Sequence, residues 1–316
     1  MPSDSSVSRR TVLAGGVAAV GTSVLGTEGA AGAAAFKDAP WIDAHSHIWT
    51  PDISRSKLQP GMTVEDLAPK SFTADELMAV ARPAGVGRVV LIQHTLFHGY
   101  DTSYLTDAWR RHPSVFRVVG MVDDLRPNAG RAMRQLMAQG VTGFRIVPRM
   151  GITDWLQTDG MTEMWQTAAE TRQPMCCLVN PANLPEVAAA CQRHPDTPVV
   201  IDHFGRVGID GQIREAEVNQ LCALAQHRHV KIKISAYYAL GEKKPPHHEL
   251  IPMIKRLYEV FGADRLMWAS DCPYQLDGEN NYPASIGLIR DVIDFVTDAE
   301  RRQLLRTTAE ETFFFA

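Results

Sequence analysis

From residue 40 onward, short apolar runs alternate with amphipathic stretches eight times over. The apolar runs cover 41–49, 88–94, 116–122, 143–147, 175–179, 199–204, 231–237 and 266–271. They are rich in Val, Ile and aromatic residues, and most are apolar along their whole length, as strands covered on both faces require. Helical patterns fall between them at 74–81, 103–111, 128–139, 161–172, 185–193, 214–226 and 248–261, and two more close the chain at 284–295 and 299–313. Their ends are marked. Thr73 and Glu76 make a capping box, Gly140 stops one helix, and Pro113 follows another.

Strands alternating with helices predict βαβ units and a parallel sheet. Eight such units in 316 residues predict an α/β protein, a closed (β/α)8 TIM barrel spanning 36–316 as one domain. The competing arrangement is an open doubly wound sheet, which favours a glycine-rich turn after its first strand. Here that strand ends in His45-Ser46-His47-Ile48-Trp49. The longest strand-to-helix loops are 50–72, 239–247 and 274–283. All three fall on the face where barrels carry their sites, which makes them candidate lids or substrate-selecting walls.

The first 35 residues break the pattern. Arg9 and Arg10 precede a mild apolar stretch reaching Leu25, and small residues fill 29–35. This is the layout of a removable export signal, and the paired arginines point to the twin-arginine route. The mature protein is then expected in the periplasm or outside the cell. The rest has an ordinary soluble make-up, and the net charge of −4 gives no reason to expect nucleic acid or an anionic membrane as partner. After residue 35 no apolar run approaches the ~18 residues of a spanning helix. Cys176, Cys177, Cys191, Cys222 and Cys272 are odd in number and scattered, so they are expected to be buried small side chains and not a disulfide framework.

Candidate chemistry collects at the strand ends. In Asp43-Ala44-His45-Ser46-His47 the two histidines share one side of a strand, with Ala44 and Ser46 facing the other, and lie roughly 7 Å apart. They can hold one metal ion or one substrate group, or they are two core histidines paired to neighbours. Asp271 ends the eighth apolar run, where a buried carboxylate is costly unless it is paired or working. In a closed barrel the last strand meets the first, so Asp271 is expected beside His45 and His47. In Ile201-Asp202-His203-Phe204-Gly205-Arg206, His203 is expected to point inward with Ile201 and Asp202 outward toward the helices. Arg145, in the fourth run, shares a face with Gly143 and Val147. It either meets an anion or pairs with a core carboxylate such as Asp123. In 231–237 Lys231 and Lys233 alternate with Ile232 and Ile234, and the pattern leaves open which set faces the interior.

Taken together, Trp41-Ile-Asp-Ala-His-Ser-His-Ile-Trp49, Gly143-Phe-Arg145, Asp202-His203-Phe-Gly205, Lys231-Ile-Lys-Ile-Ser235, Met267-Trp-Ala-Ser-Asp271 and Thr308-Ala309-Glu310-Glu-Thr-Phe resemble the amidohydrolase superfamily. The likeness is greatest to its lactonase branch, which includes L-fuconolactonase and 2-pyrone-4,6-dicarboxylate lactonase. The resemblance implies that His45 and His47 are the first-strand histidines, His203 the sixth-strand histidine and Asp271 the water-activating aspartate. It departs from the two-metal members, since strand 4 offers Arg145 in place of a bridging lysine and strand 5 ends in Leu178-Val-Asn180 without a histidine. The implied cofactor is one divalent ion, Zn or Mn, on His45, His47 and Asp271, or none at all.

The implied activity is hydrolysis of a small sugar-acid or carboxylate-bearing lactone, with Asp271 as general base and His203 assisting. His45 and His47 would contact the substrate, and Arg145 and Arg206 would grip its carboxylate. Arg149, His94, Tyr237 and Tyr274 are further candidates for the pocket wall. Rival readings are a decarboxylase or lactone isomerase on the same barrel, and a ligand-binding barrel without catalysis.

Overall fold

The computed structural model describes residues 41–149 and 151–315. The export signal expected at 1–35 lies outside the described residues. Eight parallel strands follow one another in sequence order: β1 (Trp41–Ser46), β2 (Val86–Ile92), β3 (Phe116–Gly120), β4 (Val141–Ile146), β5 (Met175–Cys177), β6 (Val199–Ile201), β7 (Val230–Ile234) and β8 (Leu266–Trp268). The circle closes just beyond β8. The Asp271 amide donates to the His45 carbonyl and the His47 amide to the Cys272 carbonyl, both at 2.8 Å. The principal helices are α1 (Ala74–Ala81), α2 (Ser103–Arg111), α3 (Ala129–Met137), α4 (Asp159–Thr171), α5 (Leu184–Arg193), α6 (Glu215–Ala223), α7 (Ile251–Phe261), α8 (Tyr282–Gly287) and α9 (Thr308–Phe313). Among the described residues no helix is long and apolar enough to cross a membrane.

The strands carry two cores. Ile42, Ala44, Val90, Val119, Val200 and Met267 fill the barrel interior, and Ala309 and Phe313 of α9 pack against this set. The opposite strand faces, with Val89, Phe144, Ile201, Ile232 and Trp268, pack in the larger core that includes helix residues. Cys176 belongs to the inner set and Cys177 to the outer. All five cysteines are free and buried, as the scattered spacing implied.

The seam between β1 and the end of β8 is fastened by Asp43. Its fully buried carboxylate accepts from the His45 amide (3.0 Å), Ser46 Oγ (2.8 Å), the Ser270 amide (2.9 Å), Ser270 Oγ (2.5 Å) and Tyr282 Oη (2.8 Å). Five donors satisfy the lone pairs of one carboxylate, which makes its burial tolerable.

Candidate active site

Four local departures from regular strand geometry bring the polar side chains together. The pairing of β1 with β2 slips between Asp43 and Ser46, where three steps along β1 match two along β2. This extra residue lets Ala44 and His45 both face inward. His45 and His47 do share a side, as expected, but Ala44 lies in the interior core and not on the opposite face. At β6 the expected alternation is reversed. Ile201 packs in the outer core, and Asp202 faces the barrel interior instead of the helices. His203 still reaches the site because its backbone turns left-handed (φ 53°). Ala236 (φ 59°) and Asp271 (φ 61°) make the same turn after β7 and β8. Such conformations are strained for side-chain-bearing residues and gather where a site over-determines them.

The turns open onto a cavity of about 250 Å³ at the C-terminal ends of the strands. His47, His94, Arg145, His203, Tyr238 and Asp271 are among its walls, with Arg206 and Tyr274 also on its lining. Asp271 is the hub. Its Oδ1 lies 3.2 Å from His47 Nε2 and 3.4 Å from His45 Nε2, and its Oδ2 lies 3.7 Å from His203 Nε2. Oδ2 accepts from Tyr238 Oη at 2.7 Å, while Oδ1 has no hydrogen-bond donor. Burial alone would raise this carboxyl, but the imidazoles of His203, His47 and His45 outweigh it and hold Asp271 below the usual carboxylate range.

Beneath the cavity lies a second, fully buried carboxylate. Asp202 Oδ1 pairs with Lys233 Nζ at 3.0 Å and Oδ2 accepts from Arg145 Nη2 at 3.1 Å. Burial opposes ionisation here, yet Lys233, His45 and Arg145 hold Asp202 well below the usual range. Arg145 Nη2 also reaches His45 Nε2 at 2.6 Å, and Lys233 Nζ stands 3.2 Å from His45 Nδ1. Burial first, then the nearby Lys233, depress His45 well below an ordinary histidine. Burial likewise lowers His203 to about 4, against the pull of Asp271 and Asp202, and takes His94 to about 2.

The structure therefore gathers His45, His47, His203, Arg145 and Asp271 into one cluster, with Arg206 at the cavity wall. Asp123 is not the partner of Arg145. It is held by Arg149 and Arg126, while Asp202 takes Arg145. Tyr237 is fully buried away from the cavity, and its neighbour Tyr238 lines it, because the turn at Ala236 shifts the alternation by one. Lys233 and Asp202 are the members that sequence reasoning missed. The alternation of 231–234 holds the signal for Lys233, since Ile232 and Ile234 belong to the outer core and leave Lys233 facing inward.

Ligand-type atoms of His45, His203 and Asp271 lie within 4.8 Å of one another, so His203 replaces His47 in the most compact metal-capable group. The donors themselves fit an ion poorly. A neutral imidazole has one lone pair, and at 2.6 Å the Arg145 guanidinium can only be donating to that of His45 Nε2. Two cations, Arg145 and Lys233, already stand on the single carboxylate of Asp202, so a divalent ion would add further positive charge to a buried site.

Three comparisons bear on the chain. A family model described as Amidohydrolase matches residues 42–315. An L-fucono-1,5-lactonase of Burkholderia ambifaria is 30% identical over 237 residues, covering 73% of this chain and 80% of that one. A 4-sulfomuconolactone hydrolase of Rhizobium radiobacter is 26% identical over 246 residues, covering 73% and 75%. Among solved structures, an amidohydrolase from Burkholderia multivorans with bound zinc shares the fold with a TM-score of 0.71 at 20% identity, covering 87% of this chain and 99% of that one.

Proposed function

Because the chain belongs to the amidohydrolase family, we propose that it is a hydrolase that opens a small acidic lactone, with Asp271 as the general base. The observation that carries this reading is the free acceptor Asp271 Oδ1, buried at the cavity floor with His47 Nε2 3.2 Å away. His47 Nδ1 faces the Ile92 carbonyl at 2.9 Å, an oxygen that can only accept. The ring is therefore protonated on Nδ1. A water that donates one proton to Oδ1 keeps an oxygen lone pair toward the cavity.

Water attacks the lactone carbonyl while its proton passes to Asp271. Arg145 and His203, with Nε2–H exposed when Ser235 Oγ donates to Nδ1 (2.8 Å), take the charge developing on the carbonyl oxygen. The carbon–oxygen ring bond then breaks, and the proton on Asp271 moves to the departing alkoxide. The product is a hydroxy acid, whose carboxyl releases one proton to the solvent at neutral pH. Tyr238 holds Asp271 Oδ2, so Oδ1 faces the water.

The acidic group on the substrate is assigned to Arg206. It lines both the main cavity and an adjoining one with Arg149 and Asn180, and among the described residues it has no carboxylate partner. The two curated relatives act, by their names, on lactones, and one of these lactones carries a sulfonate. The floor chemistry supports working without a metal ion, since His45 is already capped by Arg145.

The test is a panel of sugar-acid and muconate-type lactones, followed by proton release and carbon dioxide release together. One proton per ring opened, with no carbon dioxide, is expected. Carbon dioxide would move the site to decarboxylation, and ring migration without proton release to isomerisation. Export is part of the proposal and rests on Arg9 and Arg10. Replacing both with lysine should leave the protein in the cytoplasm, and undiminished export would contradict the twin-arginine route.

A further inference from the structure

Lys233 is completely buried on β7, under the catalytic cavity and outside its lining. Its ammonium meets Asp202 Oδ1 at 3.0 Å and His45 Nδ1 at 3.2 Å, and lies 5.2 Å from the ring centre of Phe313 on the packed side of α9. It cannot touch a substrate, and the hydrolytic steps above do not use it. A buried lysine is costly to retain where a leucine or methionine would fill the same space.

The arrangement on Asp202 suggests what the lysine does. Each carboxylate oxygen has its own cation, Lys233 on Oδ1 and Arg145 on Oδ2. Of the two cations only Arg145 reaches the cavity, and its Nε has no hydrogen-bond partner. If Arg145 were the sole counter-ion of Asp202, the two would form a neutral pair and offer little field to an oxyanion. A second cation on the same carboxylate changes that balance in the low-dielectric floor of the site.

We infer that Lys233 is a positioning residue for hydrolysis: it serves as the counter-charge of Asp202 and so leaves the Arg145 guanidinium electrically available to the lactone carbonyl. This rests on the hydrolase reading given above. Lys233 acts through Asp202 and Arg145, so its loss weakens the transition state, where charge sits on the carbonyl oxygen, more than the ground state. The same logic predicts its own reversal. Removing the Asp202 carboxylate together with the lysine frees Arg145 once more.

The experiment compares the wild type, Lys233→Met and the double variant Lys233→Met/Asp202→Asn for kcat and KM on an accepted lactone. Inorganic phosphate binding is measured calorimetrically as a probe that needs no turnover. In Lys233→Met, kcat is expected to fall about 100-fold with KM within about threefold, the size of a lost oxyanion donor, and phosphate to bind about tenfold more weakly. The double variant is expected to recover most of both losses. Lys233→Gln, which keeps a donor for Asp202 without the charge, should lose kcat like the methionine variant if the latter does not fold. Unchanged kcat in both single variants, or losses that the double variant fails to reverse, overturns the inference. If the wild type opens no lactone, the hydrolase reading fails by itself. The phosphate titration then judges Lys233 alone, and equal affinity in wild type and Lys233→Met rejects it.

Discussion

Two buried aspartates stand on opposite sides of the same seam, and their surroundings differ in one respect. Asp43, at the outer face of the β1–β8 junction, accepts from five donors, among them two backbone amides and three hydroxyls. Asp271, at the inner face, accepts from one hydroxyl and keeps an oxygen without an aligned donor, 3.2 Å from His47 Nε2. The first carboxylate is finished by its own protein, whereas the second needs a guest. That difference separates an acid that closes a barrel from one that can take a proton from water.

Exchanging the two acids one at a time should break this comparison if it is wrong. Asp271→Asn removes the base and keeps the shape. The rate is expected to fall by about a thousandfold or more, with the thermal midpoint lowered less than by Asp43→Ala. Asp43→Ala should do the reverse. It strands hydroxyls and amides in the seam and costs roughly 3 kcal/mol of stability, while kcat in the protein that remains folded changes little. A midpoint lowered by Asp271→Asn as much as by Asp43→Ala would dissolve the distinction. At the rim, Arg206→Met is expected to raise KM for an acidic lactone about tenfold and leave kcat within a few-fold. Equal KM values would remove Arg206 from substrate recognition.

Acid sharpens the contrast further, with smaller effects. His203 is depressed from 6.5 to about 4 by burial, so the unfolded chain takes up its proton first. The stability this histidine contributes is full above pH 6.5 and is lost as the pH falls toward 4. Asp43 is shifted the other way, since burial outweighs its hydrogen bonds and raises it. Its contribution is largest below the ordinary carboxylate pKa of 3.8 and diminishes as the pH rises through its folded value. Thermal midpoints from pH 7 to 4 should therefore fall in the wild type and fall less in His203→Asn. Identical slopes would show that His203 is not buried in the neutral form.

The apolar rhythm made the barrel legible, because strands covered on both faces are apolar throughout and a closed circle needs eight of them. The site was legible where the side chains are chemically costly to bury, as at His45, His47, His203, Asp271 and Arg145. It was illegible where direction depended on strict alternation. The extra residue in β1 and the left-handed turns at His203 and Ala236 each shift the register by one. Asp202 faces inward by plain alternation, with Val200 inside and Ile201 outside, and it is His203 that the left-handed turn brings in beside it, as the turn at Ala236 exchanges Tyr237 for Tyr238 at the cavity wall. Nothing in local propensity foretells a left-handed histidine or alanine, since the cost is met by the contacts of the assembled site. Lys233 was hidden for a related reason, because an alternating Lys–Ile run suits either face until the helices are in place.

The most direct test of the central claim, that Asp271 activates water with the protein's own cations around it, is lactone turnover by enzyme stripped with a chelator and assayed for residual metal. The stripped wild type is expected to retain its rate, added zinc not to raise it, and stripped Asp271→Asn to be inactive. A rate lost on stripping and restored in proportion to bound zinc would contradict that claim, and would mean that Arg145 gives up His45 to a metal ion.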